Sequence, residues 1–172
     1  MPKLDINLLI GFTIFVGALR PSAALAGGAG CDIGKWPLSA IQTKFSATAL
    51  PAVASGDFLP ALGAPVAVNL SPQGEVTFPH ASARQGKADP AYGAIVKVGS
   101  PPAGIHQVSA SNGTWVDLVE NSDLVKPAGY ERNKDCPGVD KSIRFKTNGG
   151  PLTVQLSGGY GKTVKIEVVR AE

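Results

Sequence analysis

Histidine and cysteine are both scarce in this sequence, two of each in 172 residues. A pair of histidines, His80 and His106, leaves little from which to build an imidazole-rich metal centre. Neither cysteine has a second Cys or a His at zinc-ligand spacing, and the absence of Cys-x-x-Cys excludes a thioredoxin-like redox motif. Gly-x-Ser-x-Gly is missing, and Gly161-Lys162-Thr163 has the ending of a phosphate loop without its first glycine. Charge is also thin. Charged residues make up 17% of the chain and leave a net of +3, with no basic stripe or acidic run. That balance argues against a nucleic-acid or anionic-membrane surface. Aromatic residues are 6%, few for a protein that works by stacking, and Trp36 and Trp115 are expected to be core anchors.

Ile6 to Leu19 is a long apolar run, preceded by Lys3 and followed by Ala24-Leu25-Ala26. A basic start, an apolar middle and an A-x-A ending are the three parts of a secretory signal peptide, so residues 1–26 are expected to be removed on export. Asn7 interrupts the run and Arg20-Pro21 ends it, short of the roughly 20 residues of a membrane-spanning helix. A lipoprotein signal needs a Leu-like residue three places before its cysteine, where Gly28 stands before Cys31. The expectation is a periplasmic or secreted protein with no membrane span after cleavage. In an oxidising compartment Cys31 and Cys136 are expected to pair as a disulfide. Chain-entropy arguments give a bridge closing so long a loop on the order of 4 kcal/mol.

Residues 27–64 read as an N-terminal segment with one short helix and an irregular connection. Pro37 suits a first helical turn, and Ile41 and Phe45 lie four apart on one face, which predicts a helix over 36–45. Residues 65–172 read as strands. Val66–Leu70 and Glu75–Phe78 flank Gln73-Gly74, and Tyr92–Val98 is closed by Gly99-Ser100-Pro101-Pro102. Near the C-terminus, Ile143 and Phe145 alternate with Arg144 and Lys146. Leu152, Val154 and Leu156 alternate with Thr153, Gln155 and Ser157, and Val164, Ile166 and Val168 with Lys165 and Glu167. That period of two predicts an apolar face and a polar face on each strand. About eight short strands with turn signals between them, and hardly any helix, predict an all-β fold, an antiparallel sandwich or jelly roll.

Asn112-Gly113 between two strand-like runs predicts a two-residue hairpin with a type I′ turn. In that register His106, Val108, Ala110, Trp115, Asp117 and Val119 share one face, with His106 diagonal to Asp117. Two readings follow: a His–carboxylate dyad, or a polar pair satisfying itself at the wetter end of an apolar face. The opposite face, with Ile105, Val116 and Leu118, is expected to be buried between subunits of a homo-oligomer. His80 and His106 with a carboxylate such as Asp117 or Glu75 resemble the two-His, one-carboxylate set of non-haem iron, although the His-x-His or His-x-Asp pair of a double-stranded β-helix is absent. Tyr130 and Tyr160 fall on predicted loops, Tyr130 in the long stretch 121–138, where they are placed to stack on a small molecule or a sugar ring.

Pro102-Ala103-Gly104, Trp115-Val116-Asp117, the run Cys136-Pro137-Gly138-Val139-Asp140-Lys141-Ser142-Ile143-Arg144-Phe145 and Leu152–Gly158 together resemble a family of short exported proteins from Gram-negative proteobacteria. The resemblance covers residues 36–169. Some members carry the transferred name homogentisate 1,2-dioxygenase, which implies a cupin-like, iron-dependent enzyme. The residues themselves favour an exported protein with a non-catalytic binding, structural or assembly role and no cofactor. The alternatives are that dioxygenase, with iron, and a carbohydrate-binding module.

Overall fold

The computed structural model describes residues 30–81 and 86–172; the expected signal peptide, 1–26, lies outside them. Two sheets face each other. The chain enters through a helix α1 (Ser39–Phe45) and runs through β1 (Ala52–Val53), β2 (Val66–Asn69), β3 (Ser71–Pro72) and β4 (Tyr92–Gly99). It continues as β5 (Gly104–Ala110), β6 (Trp115–Glu120), β7 (Asp123–Leu124), β8 (Pro127–Arg132), β9 (Lys141–Thr147), β10 (Leu152–Gly159) and β11 (Thr163–Arg170). One sheet has the order β1-β2-β11-β5-β9-β8 and the other β3-β4-β10-β6-β7. The all-β sandwich expectation holds, with eleven strands where the sequence suggests about eight.

The period of two explains the core. Val108, Ala110, Phe145, Ile166 and Val168 from the six-stranded sheet meet Val96, Leu118, Leu152, Val154 and Leu156 from the five-stranded one, and all are buried. Fully burying a side chain of this kind is worth about 1.5–3 kcal/mol. The helix falls within the predicted stretch and buries Ile41 and Phe45, as their spacing implies. Its first-turn N–H groups at Leu38 and Ser39 are taken by Asp32 Oδ1, at 2.9 and 3.0 Å, a cap supplied from outside the helix. The same hydrogen bonds, Ser39's first, hold the Asp32 carboxyl below its ordinary value.

Cys31 and Cys136 are bonded, as expected. They join Leu38, Ile41, Phe45 and Val139 in a second, smaller buried cluster outside the main core. The disulfide thereby ties residues 30–46 as a strap along the outer face of the six-stranded sheet. Glu131 accepts the Lys35 and Trp36 backbone N–H groups, at 2.8 and 3.0 Å. Arg144 stacks on the Trp36 ring at 4.5 Å, and Lys44 pairs with Glu167, which is 1% exposed. Among the described residues no helix is long and apolar enough to cross a membrane.

Three expectations are overturned. β5 pairs with β9 and β11 in one sheet while β6 pairs with β10 and β7 in the other, so Asn112-Gly113 is an arch between sheets and no hairpin forms there. Neither residue has a positive φ; Asn112 Oδ1 instead accepts the Thr114 N–H at 3.0 Å, an Asx-type turn. An Asn-Gly pair signals a turn but leaves open which sheet receives the returning strand. Second, Val116 and Leu118 lie in the core between the chain's own sheets, so they offer no face to a second copy. Third, the stretch after Gln73 forms a short 3-10 turn, Gln73–Glu75, and no strand over 75–78.

Candidate functional site

The two sheets differ in width at one edge. Beyond β9 the six-stranded sheet continues into β8, whereas beyond β6 the five-stranded sheet continues only into β7, two residues long and paired with Val119 and Glu120. The inner face of β8–β9 is therefore left without a cover opposite Trp115, Val116 and Asp117. There the chain has a cleft of about 200 Å³ lined by Trp115, Val116, Asp117, Pro127, Tyr130, Lys141 and Ile143. A second hollow of about 380 Å³, lined by Gly113, Trp115, Tyr130, Arg132 and Lys141, shares three of those residues and extends the trough.

Strand register places these side chains. Tyr130 pairs with Ile143 and Arg132 with Lys141, so the four project from one face of β8–β9. A bulge between Pro127 and Gly129 brings Pro127 to the same side as Tyr130. The other side of β8 belongs to the strap: Gly129 lies against the Trp36 ring, where a Cβ would approach it to 3.1 Å, and Glu131 caps the strap backbone. Val125 donates to the Leu118 carbonyl at 2.8 Å, so Leu118 turns its backbone groups to the β7 side. Alternation then turns those of Val116 to the same edge, past the end of β7 and into the cleft.

Trp115 is held in place by its indole N–H, which donates to Asp117 Oδ1 at 2.9 Å. The other carboxylate oxygen, Oδ2, is buried without a hydrogen-bond partner, as is Nε2 of Gln155, the residue opposite Asp117 on β10. Burial pushes the Asp117 carboxyl above its ordinary value, against the smaller opposing effect of the Trp115 hydrogen bond. The trough's cations are held from within. Arg132 donates to Asp140 Oδ1 through Nε and Nη2, at 3.1 and 2.9 Å. The Lys141 ammonium donates to the Thr114 carbonyl at 2.9 Å and lies 3.5 Å from Asp140 Oδ2.

Of the residues singled out from sequence, the structure brings Asp117 and Tyr130 together. Tyr160 lines neither hollow; it is 69% exposed, its ring 3.9 Å from where a Gly113 Cβ would be. His106 is elsewhere: it lies between the sheets, fully buried, its Nδ1 2.9 Å from Thr147 Oγ1 and its Nε2 without a partner. Burial first, and the Arg170 charge second, push its imidazole below the ordinary value, with Glu120 opposing. The expected diagonal between His106 and Asp117 does not form, because the two strands belong to different sheets. His80 is outside the five-stranded sheet, where its backbone N–H donates to Gln155 and its ring meets the Ser122 carbonyl. The combination His80, His106 and Asp117 is thus spread over three places, and these residues do not fit an iron site. Among the described residues no three His, Cys, Asp or Glu side chains are grouped to hold a metal.

Two residues of consequence escape a sequence reading. Trp115, expected in the core, lines both hollows; its place next to an inter-sheet arch is what turns it to the edge. Glu120, buried at the end of β6, accepts N–H groups from Asn148 and Gly150 at 2.8 and 2.9 Å and clasps the β9–β10 turn. Burial pushes its carboxyl up, but these hydrogen bonds together outweigh that and hold it below its ordinary value. No family model, curated protein or solved structure matches this chain.

Proposed function

We propose that this chain is an exported, non-catalytic binding protein whose ligand occupies the trough between β6 and β8. The observation that carries this reading is the uncovered pair Trp115 and Tyr130: two large aromatic side chains, one of them 48% exposed, bordering an apolar cleft that the short β7 leaves open. Ligand sites are concave, mostly apolar and furnished with a few fixed polar groups, and the combination of Ile143, Pro127 and Val116 with Asp117 and Lys141 has that composition. The trough's aromatic faces with a few fixed polar groups are the means of recognition. Export rests on the tripartite character of residues 1–26 and accords with the Cys31–Cys136 bond.

The test is a thermal-shift screen of small metabolites and sugars against the wild-type protein and a Tyr130→Ala variant. A ligand that binds only the folded state stabilises it by RT ln(1 + [L]/Kd) and so raises Tm. Tyr130 is half exposed, so its loss is expected to change stability by no more than about 0.5 kcal/mol. Compounds that stabilise the wild type and not Tyr130→Ala support the reading. If every stabilising compound acts equally on both proteins, the trough is not the site.

A further inference from the structure

The trough is long, its aromatic residues follow one another along it, and its charges are already spoken for. The two hollows share Trp115, Tyr130 and Lys141 and so lie side by side, Pro127 bordering one and Gly113 the other. Tyr160 stands beside Gly113. Asp140 holds both cations of the trough, Arg132 by two hydrogen bonds and Lys141 as an ion pair. An anionic ligand must compete with Asp140 for them. A cationic ligand finds at Asp117 a carboxylate whose second oxygen is buried and whose charged form burial disfavours. What remains is a neutral ligand with flat C–H faces to lie on aromatic rings and hydroxyls to bond at the rim.

We infer that the trough takes a neutral oligosaccharide, one sugar ring lying on Trp115 and Tyr130 and the chain running past Gly113 to a further ring on Tyr160. This deepens the binding role proposed above and rests on it. Pyranose rings present just such faces, and aromatic side chains supply large, rigid contact area at little entropic cost. The Tyr130 hydroxyl and the edge backbone of Val116 provide acceptors and donors for hydroxyl groups along one side. Because the Trp115 indole is fixed by Asp117, it is preorganised as a platform. Because Tyr160 borders Gly113 and lines neither hollow, a ring stacked on it is a unit beyond the one on Trp115 and Tyr130, and affinity is expected to grow with chain length.

The experiment is titration calorimetry on the chain with its disulfide intact. The probes are neutral hexasaccharides of β-1,4-glucose, β-1,4-N-acetylglucosamine and α-1,4-glucose, their disaccharides, an acidic hexagalacturonate, and p-cresol as a plain aromatic. The expected result is that at least one neutral hexasaccharide binds about tenfold or more tightly than its disaccharide. Tyr160→Ala is expected to remove that length dependence, leaving disaccharide binding intact, while Tyr130→Ala abolishes both. Both tyrosines are exposed, and a thermal melt of each variant confirms that the fold is kept. Binding of p-cresol that Tyr130→Ala removes, with no binding of any neutral sugar, overturns the carbohydrate inference and leaves the binding cleft standing. Tighter binding of the acidic hexasaccharide than of the neutral ones overturns it as well. If no probe binds, the inference and the reading beneath it both fall.

Discussion

The outer face of the six-stranded sheet and the mouth between β6 and β8 are treated in opposite ways. The outer face is polar, with Gln107, Ser109, Ser142 and Glu167 among its side chains, yet all four are buried there. The mouth is lined by tryptophan, tyrosine, proline and isoleucine, yet it stays open. Polarity alone predicts the reverse. The buried polar groups there have partners: within the sheet the Ser109 and Ser142 hydroxyls lie 2.7 Å apart and Arg144 Nε donates to Gln107 at 3.0 Å, and from the strap Lys44 pairs with Glu167. Nothing in the described chain covers the second. A buried polar patch and an exposed apolar one are the two informative departures from ordinary burial; here the first is structural work and the second is what a ligand site needs.

The largest expected effect comes from cutting the strap loose. Replacing Cys31 and Cys136 by Ala opens a loop that spans a sequence separation of 105 residues. Stability is expected to fall by about 4 kcal/mol, read as the change in urea midpoint. If the two regions are independent, ligand binding at the trough survives in the fraction that remains folded. Binding lost in step with the disulfide would show that the strap, through Trp36 and Gly129, positions β8.

Lys44→Ala tests the covered face more gently. It leaves Glu167 buried without its ion-pair partner, which is expected to cost about 1–3 kcal/mol. Lys44→Met, which keeps the stem, is expected to lose a similar amount, since the missing charge matters more than the packing. A Glu167→Gln change made on top of Lys44→Ala should then recover part of the loss, because it removes the unpaired charge.

This face also shows how much could be read from the residues alone. The alternation of Val164, Ile166 and Val168 with Lys165 and Glu167 marks a strand and its core side correctly. It says nothing of Glu167's burial, which depends on Lys44 and the strap, 123 residues away in sequence. The trough was hidden for a related reason. β8 reads Pro-Ala-Gly-Tyr-Glu-Arg, with no apolar alternation, because one side of it faces the strap and the other an open cleft. An edge strand with so little to bury looks like a loop. The arch at Asn112-Gly113 concealed the rest, since placing β6 in the other sheet is what separates Asp117 from His106 and brings it towards Tyr130.

Those two residues, once expected to pair, sharpen the comparison by pH. His106 in the core has its folded pKa lowered from the ordinary 6.5. The unfolded chain therefore takes the proton first, and stability is present above that value and lost as pH falls through it. Urea midpoints measured from roughly pH 8 to 5 should show this decline, and His106→Leu should flatten it, Thr147 keeping the Gly104 carbonyl as partner. Glu120 adds a separate decline below its ordinary 4.5, because its folded pKa is lowered and its contribution is lost on protonation.

Asp117 has the opposite sign and the smallest effect. Its folded pKa is raised above the ordinary 3.8, so its charged form weakens the fold at neutral pH and the penalty disappears as pH falls through the folded value. Asp117→Asn keeps an acceptor for the Trp115 indole and removes the charge. Its stability at pH 7 is expected to stay within about 0.5 kcal/mol of wild type, on the stabilising side. Lys44→Ala should cost stability and spare binding; Asp117→Asn should spare stability and weaken binding, by up to about tenfold, because a neutral amide oxygen holds the Trp115 platform less firmly than the carboxylate does. Thermal melts and calorimetry on the same two variants decide the matter. If Asp117→Asn destabilises the fold as much as Lys44→Ala does, the carboxylate serves the sandwich, and the open mouth has lost the polar group that distinguishes it from a packing gap.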